Sequence, residues 1–304
     1  MLNPILSFSA TRRMRSGKTL VILGAWLAVM LGTALLMMGR LLGPEVTVNG
    51  LRSGTNCYIV LMIVQFFLIV LISPAMTSGT VAGERERQTL ELLLVTNTRS
   101  LRIVWGKAMD SFGMLCLLLV CGAPVMFLPA VAGAVTPLQV LEGELFLLVT
   151  AFAAVCVGML ASAVARTSMA GGILAYLFVF GIAVVTSLPL FLDYPQAVTD
   201  IVYDPRALAQ LSPGAATAMI FPVLFLNPGY GLIALLHGQT RFLSSALQYQ
   251  QTGRLLCSFN LMDRAGGERI ALISSGAVLL LGLALLFLSA AFVRRRGFGG
   301  KRKG

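Results

Sequence analysis

Charge is scarce in this sequence. Only 12% of its 304 residues are Asp, Glu, Lys or Arg, while 57% are hydrophobic. A soluble domain is about 25% charged. Here 23 basic and 12 acidic side chains cannot cover the surface of a soluble chain whose mean hydropathy is +0.88. That excludes a soluble enzyme, a disordered tail protein and a disulfide scaffold. Histidine is nearly absent too, with His237 alone. Metal sites need several His, Cys or carboxylate ligands converging, so no metal is expected and His237 reads as a polar interface residue. The five cysteines, Cys57, Cys116, Cys121, Cys156 and Cys257, form no C-x-x-C pair. Cys116, Cys121 and Cys156 lie in apolar runs and read as small fillers. No strand-like alternation of apolar and polar residues occurs, which excludes a β-barrel.

What the sequence has is long apolar runs. A helix crosses roughly 30 Å of hydrocarbon with about 20 apolar residues. Uncharged stretches at 19–39, 53–83, 111–141, 145–165, 167–192 and 270–293 are long enough. A seventh, 207–240, contains Pro213, Pro222 and Pro228. Proline removes a backbone donor and clashes inside a helix. The pieces between the prolines are too short to span, and they read as interfacial or re-entrant helices. The expected fold is an all-α integral membrane protein with six transmembrane helices in one domain. Its expected spans are 19–40, 57–82, 103–131, 144–165, 168–192 and 270–293. Residues 193–268 form an extracytoplasmic region with short helices, and 294–304 a basic tail.

The basic residues set orientation. With six spans, one side carries sixteen basic residues against Glu84, Glu86, Glu91 and Asp110, a net +12. The other carries seven basic and eight acidic residues, a net −1. Loops rich in Lys and Arg stay in the cytoplasm, so both termini are expected inside. The high net charge therefore reports topology, and no nucleic-acid partner is implied. Cys57 and Cys257 fall together on the outer side, which leaves a disulfide between them open.

The first apolar run is too long for the core of a cleaved signal peptide and lacks a small-residue cleavage site. Before it, Leu2, Ile5, Leu6 and Met14 are interspersed with Arg12, Arg13 and Arg15. This suits an interfacial helix on lipid headgroups over residues 1–18; a disordered basic arm fits the same residues. Ser16-Gly17-Lys18-Thr19 mimics the end of a phosphate-binding loop, but Arg12 stands where that loop needs glycine. No nucleotide site is expected in the chain.

Charge within a span marks ion or proton paths, and the expected spans hold almost none. Asp110 stands at the end of the third, one turn from Lys107. This argues against an ion-coupled carrier. The dense charge lies between spans two and three, at 72–107. Pro74 and Gly79 let the second helix bend as it leaves the membrane. Glu84, Arg85, Glu86, Arg87 and Glu91 then form a mixed patch. Leu90, Leu93 and Leu94 follow at helical spacing. A short helix over 84–97, charged on one side and leucine-rich on the other, suits docking into a groove of a soluble partner. A solvated loop with interfacial leucines fits the pattern as well.

The stretch from Pro74 to Thr96, with Glu84-Arg85-Glu86, Thr89-Leu90 and Leu93-Leu94, and then Gly106-Lys107, resembles the signature of ABC-2 type permeases. These are membrane subunits of bacterial and archaeal ATP-binding cassette transporters. Asn3-Pro4-Ile5-Leu6 and Leu226-Asn227-Pro228 resemble the family too. The specific motif covers only residues 72–107. The resemblance implies a permease of the cell membrane that pairs with a second copy, identical or not. It also implies a cytoplasmic ABC ATPase that binds ATP and Mg in place of this chain, which would not itself be an enzyme. Residues 84–97 would be the coupling helix. Glu84, Arg85, Glu86, Arg87 and Glu91 would set its charge register on the ATPase, with Leu90 and Leu93 in the groove and Gln88 and Thr89 in the same contact block. The N-terminal stretch would be the elbow helix. Export of a lipid, peptide, drug or similar amphiphile follows as the expectation, with an ion-coupled secondary transporter as the alternative. Gly24, Ala28 and Gly32 on span one, and Gly171 and Ala175 on span five, form small-residue faces. They suit the family's dimer seam, and they suit packing within the chain as well.

Overall fold

The computed structural model describes residues 17–38, 48–88, 100–191, 194–241 and 254–298. The expected elbow, nearly all of it, and residues 89–97 of the expected coupling helix lie outside these. So do Thr89, Leu90, Glu91 and Leu93. Among the described residues every regular element is a helix. Six of them are long and apolar enough to cross a membrane, as the charge-free runs predict.

The chain divides into two compact units, Met1–Val179 with Gly282–Gly304, and Phe180–Leu281. In the first unit, α1 (Gly17–Met38), α2 (Val48–Thr77), α4 (Ser100–Met126) and α6 (Pro137–Val164) pack together, with α3 (Ala82–Glu86) and α5 (Leu128–Val131) as short links. Helices α2 and α4 touch each other and both flank α6, while α1 lies against α2 and α4. Helix α6 is the most enclosed of the six apolar helices, with 78% of its most apolar stretch buried against 17% for α1. Its composition explains this. Lipid tails provide no hydrophobic drive for helices to associate, so close approach depends on small side chains. The buried face of α6 includes Ala151, Ala154, Gly158, Ala161 and Ser162. A side chain at Gly158 would run into Thr77 of α2, and one at Gly143 would lie 2.9 Å from the Tyr58 hydroxyl.

Helix α6 begins seven residues before the boundary at 144 expected from charge. Thr136 forms a capping box with Gln139, and Pro137 occupies the first turn. The box satisfies two orphan backbone donors and sets the start there. Glu142 and Glu144 therefore lie inside the helix. Helix α2 likewise starts before the expected 57. Its first turns are tied to the start of α6 by the Tyr58 hydroxyl, which donates to the Gln139 carbonyl at 3.0 Å.

The second unit holds α8 (Gln196–Tyr203), α9 (Pro205–Gln210), α10 (Pro213–Met219), α11 (Pro228–Thr240) and α12 (Arg254–Ala265). The unit boundaries fall inside α7 (Ser168–Ser187) and α13 (Gly267–Phe298). The prolines expected as breakers, Pro213, Pro222 and Pro228, do divide the stretch, and each does so by starting a new helical turn, as Pro205 does before them. Pro205, Pro213 and Pro228 each occupy a helix first turn, behind capping Asp204, Ser212 and Asn227. A first-turn proline forfeits a donor that has no partner anyway. The helices remain short because each start requires the previous helix to stop. They pack around Ile220, Leu224, Leu261 and Met262. Asn227 also donates to the Ala183 carbonyl and the Ser187 hydroxyl, at 3.2 and 2.7 Å. Arg264 donates to the Leu211 carbonyl at 2.7 Å. His237 is buried and bonds Asp263 at 3.2 Å, joining α11 to α12.

Candidate functional site

The charged block after α2 is built by one end of the first unit. Thr77 closes α2 by donating to the Ser73 carbonyl at 2.9 Å. The chain then turns into α3, whose N-cap residue Val81 offers no side-chain cap. Ser162 of α6 supplies it. Its hydroxyl accepts from the backbone N–H of Val81 and Ala82, at 3.0 and 3.1 Å, and donates to the Ser78 carbonyl at 2.9 Å. One fully buried hydroxyl thus satisfies two of the four donors a helix start leaves open.

The charges of the block turn back onto their own protein. The Arg85 guanidinium donates to the carbonyls of Ala163, at 3.1 Å, and Ala165. These are end carbonyls of α6, where a cation also meets the negative pole of the helix. Glu84 pairs with Lys107 of α4 at 2.7 Å, and Lys107 also donates to the Thr80 carbonyl. Sequence spacing had offered Lys107 to Asp110. Glu86 accepts from the backbone N–H and the hydroxyl of Ser168, at 3.0 and 2.8 Å, capping the start of α7. Arg87 and Gln88 are exposed. Gln88 has φ +59°, the left-handed conformation that ends a helix. Glu84, Arg85 and Glu86 therefore tie α3 to α4, α6 and α7, while Arg87 and Gln88 face outward.

The two small-residue faces have different surroundings. A side chain at Gly171 would lie 2.5 Å from the Ser78 carbonyl, and Ala175 is fully buried, so this face packs within the chain. Gly24 and Ala28 are exposed and Gly32 is half-buried; nothing lies within 4 Å of a side chain placed at Gly24 or Gly32.

A second polar group was not anticipated. The Gln65 amide of α2 donates to both oxygens of Glu144 on α6, at 3.1 and 3.3 Å. Trp26 of α1 lies beside Gln65 across Gly122 of α4. Reading spans from gaps between charges turns any carboxylate inside a span into a boundary, which hid Glu144. The signal that could have found it is Thr136-Pro137 with Gln139, a helix start ahead of both acids. All five cysteines are free thiols, Cys57 and Cys257 included. Among the described residues no three His, Cys, Asp or Glu side chains gather to hold a metal. No protein-family model matches the chain, and no curated protein matches it.

Proposed function

We propose that this chain is the membrane-spanning permease subunit of an ATP-driven ABC-2 type transporter, exporting an amphipathic substrate by alternating access. One observation supports it most. The Glu84-Arg85-Glu86 block, which carries the family resemblance, is fastened to the ends of three spans while Arg87 and Gln88 remain outward. A push on this block would be delivered directly to α4, α6 and α7. In this reading a cytoplasmic ABC ATPase binds ATP and Mg and seats against residues 84–97, a second permease copy completes the pathway, and both termini lie in the cytoplasm of a bacterial or archaeal cell. Hydrolysis belongs to the ATPase.

The test is co-expression with an ABC ATPase, sought in the reading frames that neighbour this one. The wild type is expected to co-purify with it and to stimulate its hydrolysis. Arg87→Glu with Gln88→Glu is expected to weaken both. An unchanged complex with unchanged hydrolysis overturns the reading.

A stand-alone ion-coupled transporter is the second reading, favoured by Glu144 inside a span. It requires flux in proteoliposomes driven by an ion gradient without any ATPase.

A further inference from the structure

The most unusual chemistry in the first unit lies within its spans. Glu144 stands about 10 Å along α6 from the helix start, and Gln65 about 16 Å along α2 from Gly54, at 1.5 Å per residue. The Glu144 carboxylate is half-buried. Among the described residues no Lys, Arg or His forms an ion pair with it. Its polar contact is the Gln65 amide, at 3.1 and 3.3 Å. Carboxylates within membrane spans almost always pair or face a functional path.

Two further atoms converge there. Gln65 is fully buried, and its amide oxygen has no hydrogen-bond partner. Trp26 is 2% exposed, and its indole N–H has none either. Buried polar groups are nearly always satisfied, so two unsatisfied ones on neighbouring side chains of this cluster point to a ligand. Both border Gly122. A side chain there would sit 3.0 Å from Trp26 Nε1 and 3.6 Å from Gln65 Nε2. Glycine there lets the indole and the Gln65 amide pack closely against α4.

We propose that Glu144, Gln65 and Trp26 form a receptor for the ammonium head group of an amphiphile. The carboxylate neutralises the ammonium, and the Gln65 amide oxygen accepts a hydrogen bond from one of its N–H groups. The indole N–H donates to an oxygen of the same head group, and the indole face attracts the cation. The apolar tail runs along the lipid-facing helices. As a cargo site this rests on the transporter reading, whose substrate class it narrows to amphiphilic amines. As a binding site it stands on the geometry alone.

The test is binding to the purified full-length chain in nanodiscs of phosphatidylglycerol, with no ATPase and no nucleotide. The probe is dansylcadaverine, a primary amine, read by energy transfer from tryptophan. N-acetyl-dansylcadaverine is its uncharged twin. The amine is expected to bind about tenfold tighter than the twin or more, as one desolvated charge pair gives. Glu144→Gln is expected to abolish the preference, while Glu142→Gln keeps it. If Glu144→Gln fails to fold, Gly122→Ala provides the test, because it crowds Trp26 and Gln65 without changing charge and is expected to weaken amine binding. Adding phosphatidylethanolamine separates the sources. Competition identifies the lipid head group as ligand, and its absence a free amine. Equal binding of the two probes, or an undiminished preference in Glu144→Gln, overturns the proposal. Selective binding with no ATPase association overturns the transporter reading and leaves the site; ATPase association without selectivity removes the site alone.

Discussion

Arg85 uses its guanidinium on two carbonyls at the end of α6. Hydrogen bonds to a charged group are worth about 1.5–3 kcal/mol. Arg85→Ala is therefore expected to lower the thermal midpoint in detergent by several degrees, with Arg85→Lys recovering part of the loss through one bond instead of two. Equal midpoints for wild type and Arg85→Ala would show that the clamp contributes nothing. Cys257 makes a different prediction. It is 1% exposed, and burial pushes its thiol up to about 11. Only the thiolate reacts with iodoacetamide. A raised value keeps the thiol protonated at pH 8, so alkylation of Cys257 in the folded protein is expected to be negligible there and to rise only toward pH 11. Mass spectrometry of the Cys257 peptide after labelling at pH 8 and pH 10.5 (conditions set by that value) reads the difference.

Helix α6 joins the packing of the bundle to the turn before α3. A side chain at Gly158 would lie 2.9 Å from Thr77 Cβ in a fully buried position. Overpacking of this kind costs about 1–3 kcal/mol. Gly158→Ala is expected to destabilise the protein by that amount, and Thr77→Gly in the same chain, which removes that Cβ, to restore part of it. Failure of the double variant to recover would place the strain elsewhere. Ser162→Ala removes three hydrogen bonds joining α6 to the turn before α3. If that turn transmits motion, Ser162→Ala is expected to leave ATPase association intact and reduce transport per ATP hydrolysed. Counterflow of a fluorescent amine set against phosphate release measures the ratio.

What is legible in the sequence differs from element to element. Long charge-free runs are a collective signal, so the six apolar helices were legible. The broken stretch after α7 was legible as short pieces, because proline acts locally. The direction in which Glu84, Arg85 and Glu86 point was not legible. A charged run reads as a solvated face, and only the arrangement of α4, α6 and α7 reveals carbonyls and N–H groups waiting for those charges. Gly171 was ambiguous for a related reason. A small residue permits close approach without naming the partner, which proved to be the Ser78 carbonyl.

For the whole molecule, the asymmetry of basic residues predicts orientation. A fluorescent protein fused after Gly304 is expected to mature and fluoresce, and alkaline phosphatase fused there to be inactive, because the positive flank stays in the cytoplasm. The reverse pair of results would invert the topology and move the Glu84–Glu86 clamp to the outer face, away from any ATPase. The same carboxylate that blurred the expected boundaries of the fourth span bears on which transport reading survives. A charge within the bundle serves a cation-recognising exporter and an ion-coupled carrier alike, and the source of driving energy separates them.

The chain contains two tryptophans. Trp26 is buried beside Gln65, whereas Trp105 is 40% exposed near the start of α4 and stacks edge-on with Phe152. Their surroundings therefore differ, the one indole sealed by side chains and the other lying at the surface of the bundle. Trp105→Phe would leave a single emitter whose ring nitrogen borders Gly122. With that one substitution the protein becomes its own optical gauge, reporting occupancy of its interior without any attached dye.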